Sequence, residues 1–269
     1  MARAFFSLFL VLSIACGDDS PSDTPTADLG PGRDGGGTDG SVEPTNRSTP
    51  EAYIRGAHPS LIVEVDVVEG VAPRDGVGEL MVGALEPLLD KAEGVSIRVD
   101  ETIPAARALD EWTFADVQAL ALETFDEIGP SDAAVFHTLW LTGRYVESEG
   151  TILGIAWGNR YLAIFADTID GACSGALPLS REQVCREAEA AVWTHEAGHV
   201  IGLVNNPLPM ATPHEDAEHP GHTSNPDGVM YWSYEGPSFI DGLIAGGSGP
   251  SFAFGPESIA DVAAFRDGT

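Results

Sequence analysis

SREQVCREAEAAVWTHEAGHVIGLV, residues 180–204, is the stretch on which the fold turns. Ser180 followed by Gln183 has the spacing of a capping box, and no glycine interrupts the run until Gly198, so a helix of roughly 24 residues is predicted. At 1.5 Å per residue that is about 36 Å, enough to cross a whole domain. Val192, Val200, Ile201 and Leu203 give it an apolar side and predict a half-buried helix. His195 and His199 stand four residues apart, so they lie one turn apart on one face, where both imidazoles can reach a single Zn²⁺ at about 2.1 Å. Glu196, beside the first of them, is placed to take a proton from a metal-activated water and pass it to a leaving amine. The segment predicts a zinc centre with Glu196 as general base. Two imidazoles leave a tetrahedral zinc one protein ligand short.

Working outward, the flanking sequence alternates strand and helix signals and predicts an α/β domain. Leu61–Val68 alternates apolar and acidic residues and is rich in β-branched side chains. Val77–Ala92 has helical spacing interrupted at Pro87, Val95–Ile103 returns to strand character, and Thr113–Glu127 reads as a helix with Thr113 as its N-cap. The apolar run Ala134–Leu141 predicts a central strand buried on both faces. Thr151–Trp157 and Arg160–Ala166, joined by Gly158-Asn159, predict an antiparallel hairpin. Pro256–Arg266 reads as a final helix. His58 and His137 lie far from the metal motif and are read as structural.

The N-terminus has a different character. Residues 1–15 carry one Arg, no acid and an apolar run from Ala4 to Ala15 that suits a secretory signal peptide and is too short to span a bilayer. Leu12-Ser13-Ile14-Ala15 before Cys16 resembles the lipobox at which bacterial lipoprotein signals are cut and the Cys is lipidated. Of residues 17–50, 12 are Gly or Pro, 9 Ser or Thr and 7 Asp or Glu, so residues 16–50 read as a flexible linker between a lipidated Cys16 and a folded domain at 51–269. The expected location is outside the cytoplasm, as a cell-envelope lipoprotein at the outer membrane or cell surface or as a secreted protein. In that compartment Cys173 and Cys185 are the expected disulfide pair.

Across all 269 residues, 13 Lys and Arg stand against 42 Asp and Glu, a net charge of −29. With no basic cluster, nucleic acid is excluded as a partner, and the only membrane contact expected is through lipid on Cys16. Most of the acidity belongs to the domain, where 35 acidic side chains face 10 basic ones from Glu51 onward. Glu215, Asp216 and Glu218 offer no ordered calcium loop and are read as a solvated charge run.

Beyond His199, Gly202 stands three residues on, where the motif resembles that of the metzincin clan of metalloproteases; Asn205 stands where their third His normally follows. His214, His219 and His222 come later. His222-Thr223, four residues, Gly228, one residue and Met230 reproduce the spacing that ends the archaemetzincin motif, with its Cys pair replaced by Thr223 and Gly228. The resemblance implies His222 as third zinc ligand after an insertion, with His219 and then His214 as alternatives, and Met230 as the Met-turn residue beneath the metal. It implies Tyr231 or Tyr234 as a possible stabiliser of the tetrahedral intermediate. It also implies a metzincin-like fold: a twisted mixed sheet with an antiparallel edge strand, a long active-site helix, the Met-turn and a C-terminal helix. The activity it implies is that of a zinc metalloendopeptidase, a hydrolase acting on peptide or protein substrates. The competing reading is a non-catalytic, zinc-stabilised cell-surface binding lipoprotein; Glu196 argues against it, because a structural site needs no base.

Overall fold

The computed structural model describes residues 47–148, 150–245 and 252–268. The signal peptide, Cys16 and nearly all of the expected linker lie outside the described residues. The compact unit begins at Arg47, four residues before the boundary expected at Glu51. Arg47 Nε donates to the carbonyl of Ala133 at 2.6 Å and Ser48 Oγ to that of Val135 at 2.7 Å, so these two polar side chains are buried against the sheet. Thr49 then caps the first short helix.

In chain order the elements are α1 (Pro50–Ile54), β1 (Leu61–Val68), α2 (Val77–Leu85), β2 (Val95–Ile103), β3 (Glu111–Trp112), α3 (Phe114–Thr124), β4 (Ala134–Leu141), β5 (Arg144–Tyr145), β6 (Gly154–Trp157), β7 (Tyr161–Phe165), α4 (Ala166–Ala172), α5 (Arg181–Val200), α6 (Ser238–Ile244) and α7 (Pro256–Asp267). The main sheet has the order β2-β1-β4-β7-β6, with every pair parallel except the edge strand β6, which runs antiparallel to β7. β3 and β5 form a small parallel pair of their own. The architecture is therefore a mixed α/β sheet with one antiparallel edge and a C-terminal helix. As expected of a central strand, β4 is buried along its whole length.

α2 and α5 pack on one face of the sheet through Val63, Val65, Trp140 and Ile164, whereas α3 covers the other through Leu139, Leu141, Ala163 and Phe165. Trp193 of α5 meets Trp140 of β4 edge-on at 5.1 Å, and its indole N–H donates to Thr138 Oγ1 at 3.2 Å. α5 is thus pinned across the middle of the sheet. Its N-terminal half is held by Arg74, which pairs with Glu189, Asp170 and Glu182.

Several local expectations are corrected. Ser180 adopts an αR conformation, so its hydroxyl bonds the carbonyl of Leu177 and no capping box forms; α3 instead carries one, between Thr113 and Asp116. α5 ends at Val200 rather than Val204, because Gly202 enters the left-handed region at φ 95° and Pro207 and Pro50 crowd the space a β-carbon would fill. From Ala188 to Gly198 every residue of α5 is buried, so the helix is central rather than half-exposed. β1 is buried along its whole length too, its acidic residues included. The hairpin strands are shorter than expected, and Asn159 in their turn donates through Nδ2 to the carbonyls of His199 and Asn206, at 3.1 and 2.9 Å, tying the turn to the end of α5.

Cys173 and Cys185 are both buried and close to one another, and the structure holds them unlinked, so the expected disulfide is not shown. Burial, reinforced by the neighbouring thiol, pushes the Cys173 pKa up and favours retention of its proton.

Candidate metal centre

Three imidazoles meet beside the C-terminal half of α5. His195 and His199 come from successive turns, their Nε2 atoms 3.1 Å apart. His222 arrives from the long loop after α5, its ring 5.2 Å from that of His195 and 4.9 Å from that of His199. Nitrogens bound at 2.1 Å to one tetrahedral ion would stand about 3.4 Å apart, so the α5 pair is close to that spacing. His195 Nδ1 lies 2.7 Å from the carbonyl of Val229, which selects the tautomer that turns a bare Nε2 towards the other rings.

The loop that delivers His222 is held without the cysteines of the archaemetzincin pattern. The Thr223 amide donates to the carbonyl of Met230 at 3.0 Å, its hydroxyl donates to Glu257 of α7 at 3.1 Å, and Gly228 packs against the backbone of Gly255. Met230 is buried beneath α5, where a β-carbon at Gly198 would meet its sulfur at 2.2 Å. A glycine between the two α5 histidines is what lets that sulfur approach.

Glu196 is buried between α5 and the edge strand. A β-carbon at Gly154 of β6 would meet its Cγ at 2.8 Å and Oε1 at 2.9 Å, so strand and carboxylate are in direct apposition. Its Oε1 has no hydrogen-bond partner among the described residues, and the same holds for His199 Nδ1 and His222 Nδ1. Buried polar atoms without partners are costly, and here they cluster in one place. Burial, then repulsion from Glu235, holds the Glu196 carboxyl well above the usual carboxylate range. Burial, then the proximity of His222, pulls His195 down to about 4, and burial pulls His199 well below its ordinary value. All these shifts favour neutral imidazoles, the form in which histidine binds a metal. Three imidazoles, each with a ring nitrogen within 4.8 Å of the others, fit Zn²⁺.

The structure separates the candidate histidines. His214 Nε2 pairs with Asp261 of α7 at 2.7 Å, and His219 stacks on Trp232 at 4.3 Å while its Nδ1 reaches Asp216 at 3.2 Å, so neither joins the cluster. Tyr234 stacks over His195 with ring centres 6.2 Å apart, whereas Tyr231 tilts against Trp232.

Sequence reasoning did not single out Glu235, whose Oε1 lies 3.1 Å from His222 Nε2. Although burial alone would raise it, the hydrogen bond to His222 holds its pKa below the ordinary value. No spacing rule connects it to the motif; the short turn Trp232–Glu235 brings it back. A second buried set, Glu64, Asp66 and His137, sits on the opposite face of the sheet.

No family model matches the chain, and no curated protein matches it. Among solved structures it is similar to an archaemetzincin from Methanopyrus kandleri, 16% identical, over 78% of this chain and 96% of that one, with a TM-score of 0.49. It is also similar to a zinc-dependent peptidase from Methanocorpusculum labreanum, 15% identical, over 74% and 99% of the two chains, with a TM-score of 0.48.

Proposed function

We propose that this chain is a zinc-dependent endopeptidase, exported and held at the cell envelope by lipid on Cys16. The observation that carries the reading is the convergence of His195, His199 and His222 beside a buried Glu196 whose Oε1 has no partner among the described residues. His195, His199 and His222 would hold the ion through ring nitrogens. When bound, Zn²⁺ would polarise a scissile carbonyl and lower the pKa of a water towards ~7.

Glu196 takes the proton of the attacking water on Oε1 and delivers it to the leaving amine. Edge strand β6 aligns the substrate by main-chain hydrogen bonds, and Gly154 lets it do so without displacing Glu196. Tyr234, over His195, is the better placed of the two tyrosines to steady the developing oxyanion. Met230 serves as the floor of the site in the manner of a Met-turn. The acidic surface favours cationic segments of substrate. Among the described residues no helix is long and apolar enough to cross a membrane. Cys16→Ser should release the protein from the membrane fraction.

The test is to measure zinc content and peptide-library cleavage for the full chain and for Glu196→Ala. One equivalent of zinc in both, with cleavage reduced by about 10³-fold or more in the variant, is the expected result. One equivalent with no cleavage by either form overturns the peptidase reading in favour of a zinc-stabilised binding protein.

A further inference from the structure

Glu235 is the one group close to the three imidazoles to which the proposed reaction gives no work. The ligand atoms of His195, His199, His222 and Glu235 all lie within 4.8 Å of one another. Its position is not left to side-chain chance. The carbonyl of Glu235 accepts the Leu153 N–H at 3.0 Å, fastening the turn to the residue that precedes β6. Tyr234, one residue earlier, is buried and lies over His195. The backbone therefore presents this carboxylate to the histidines from a site fixed on both sides.

Zinc in a closed protein site takes four ligands, and a catalytic site keeps one position open for water. Three imidazoles and one carboxylate make a closed set. We propose that Glu235 is a fourth protein ligand in the resting form, so that the centre is self-closed until this carboxylate withdraws. The inference rests on the zinc-peptidase reading and adds its regulation. Opening is a simple ligand exchange: the Glu235 oxygen leaves, a water oxygen enters, and no bond other than the coordinate one is made or broken. Because the backbone of Glu235 is held by Leu153, the withdrawal is a rotation of the side chain beside the strand on which a peptide would pair.

The experiment loads the full chain and its Glu235→Gln and Glu235→Ala variants with Co²⁺ and measures water-proton relaxation, alongside zinc affinity by chelator competition. The expected result is little exchangeable water at the cobalt of the unmodified protein, a gain of exchangeable water in both variants, and zinc affinity weakened by about tenfold or more. The Glu235 side chain is 42% exposed, so the variants should fold, and their far-UV spectra should match that of the parent. Equal relaxation and equal affinity in all three proteins would overturn the fourth-ligand role and leave the peptidase reading intact. Failure of every form to bind metal would overturn both. Expected relaxation and affinity with no peptide cleavage by any form would support the fourth ligand and defeat the peptidase reading.

Discussion

The two buried polar clusters, one on each face of the sheet, contain the same kinds of side chain and are built to opposite ends. On the α3 face, Glu64 accepts the backbone N–H groups of Asp126 and Ile128 at 2.7 and 2.8 Å, and Asp66 accepts the Glu101 N–H at 3.0 Å and holds His137 Nε2 at 2.6 Å. Phe125 stacks on His137 at 5.1 Å and closes the group off. All four carboxylate oxygens are within reach of a partner from the chain itself, three of them of backbone N–H groups. At the end of α5 the balance differs, because the carboxylate atom Glu196 Oε1 is buried without a hydrogen-bond partner among the described residues, together with His199 Nδ1 and His222 Nδ1, whereas the α3-face cluster leaves only His137 Nδ1 in that state. Burial of acids and histidines is therefore not what distinguishes the two clusters; of the two, only the end of α5 leaves a buried carboxylate oxygen unanswered. One cluster fastens the loop after α3 to the sheet, and the other is arranged for something the chain does not supply.

The sharpest way to break that contrast is at the third histidine. His222→Ala should weaken zinc binding by about a thousandfold, roughly 4 kcal/mol, while His214→Ala keeps zinc because His214 is engaged with Asp261; chelator competition reads both. Asp66→Ala should do the opposite, leaving zinc affinity unchanged while unfolding becomes easier by about 3 kcal/mol in denaturant titration, since it orphans His137 and the Glu101 N–H. Gly198→Ala should cost about 2 kcal/mol by driving a methyl group into Met230, and this variant should lose zinc affinity as well, because the same turn carries both α5 histidines.

The smallest effect is a pH dependence. Burial raises Glu64 to about 7 against an ordinary 4.5, with its two backbone hydrogen bonds pulling part of the way back. Its contribution to stability is then fully present below about pH 4.5 and is lost as pH rises through 7. Glu189, raised to about 7 by burial despite Arg74, behaves alike. Glu64→Gln should make the fall in unfolding free energy between pH 5 and 8 shallower than in the parent, measured by chemical denaturation.

Much of this molecule is legible in the sequence wherever local pattern and environment agree. The β-branched runs at 61–68 and 95–103 and the apolar run at 134–141 mark three strands to the residue, and the four-residue spacing of His195 and His199 places both rings on one face. The alternation of β1 misleads about environment: acidic residues at every second position suggest a solvated face, whereas Glu64 and Asp66 are fully buried beneath the loop after α3. Their partners are backbone N–H groups, which no residue pattern announces. The end of α5 is set by tertiary crowding from Pro50 and Pro207 as much as by Gly202 itself. Ser180 and Gln183 have capping-box spacing, yet the serine conformation excludes it. Glu235 could not be read from spacing, because the chain's return past Met230 places it.

The most direct test is anomalous diffraction at the zinc absorption edge from crystals of the zinc-loaded protein. The account predicts one full-occupancy peak bounded by ring nitrogens of His195, His199 and His222, with the Glu64, Asp66 and His137 cluster empty. A peak at that second cluster, or none among the three imidazoles, would contradict it.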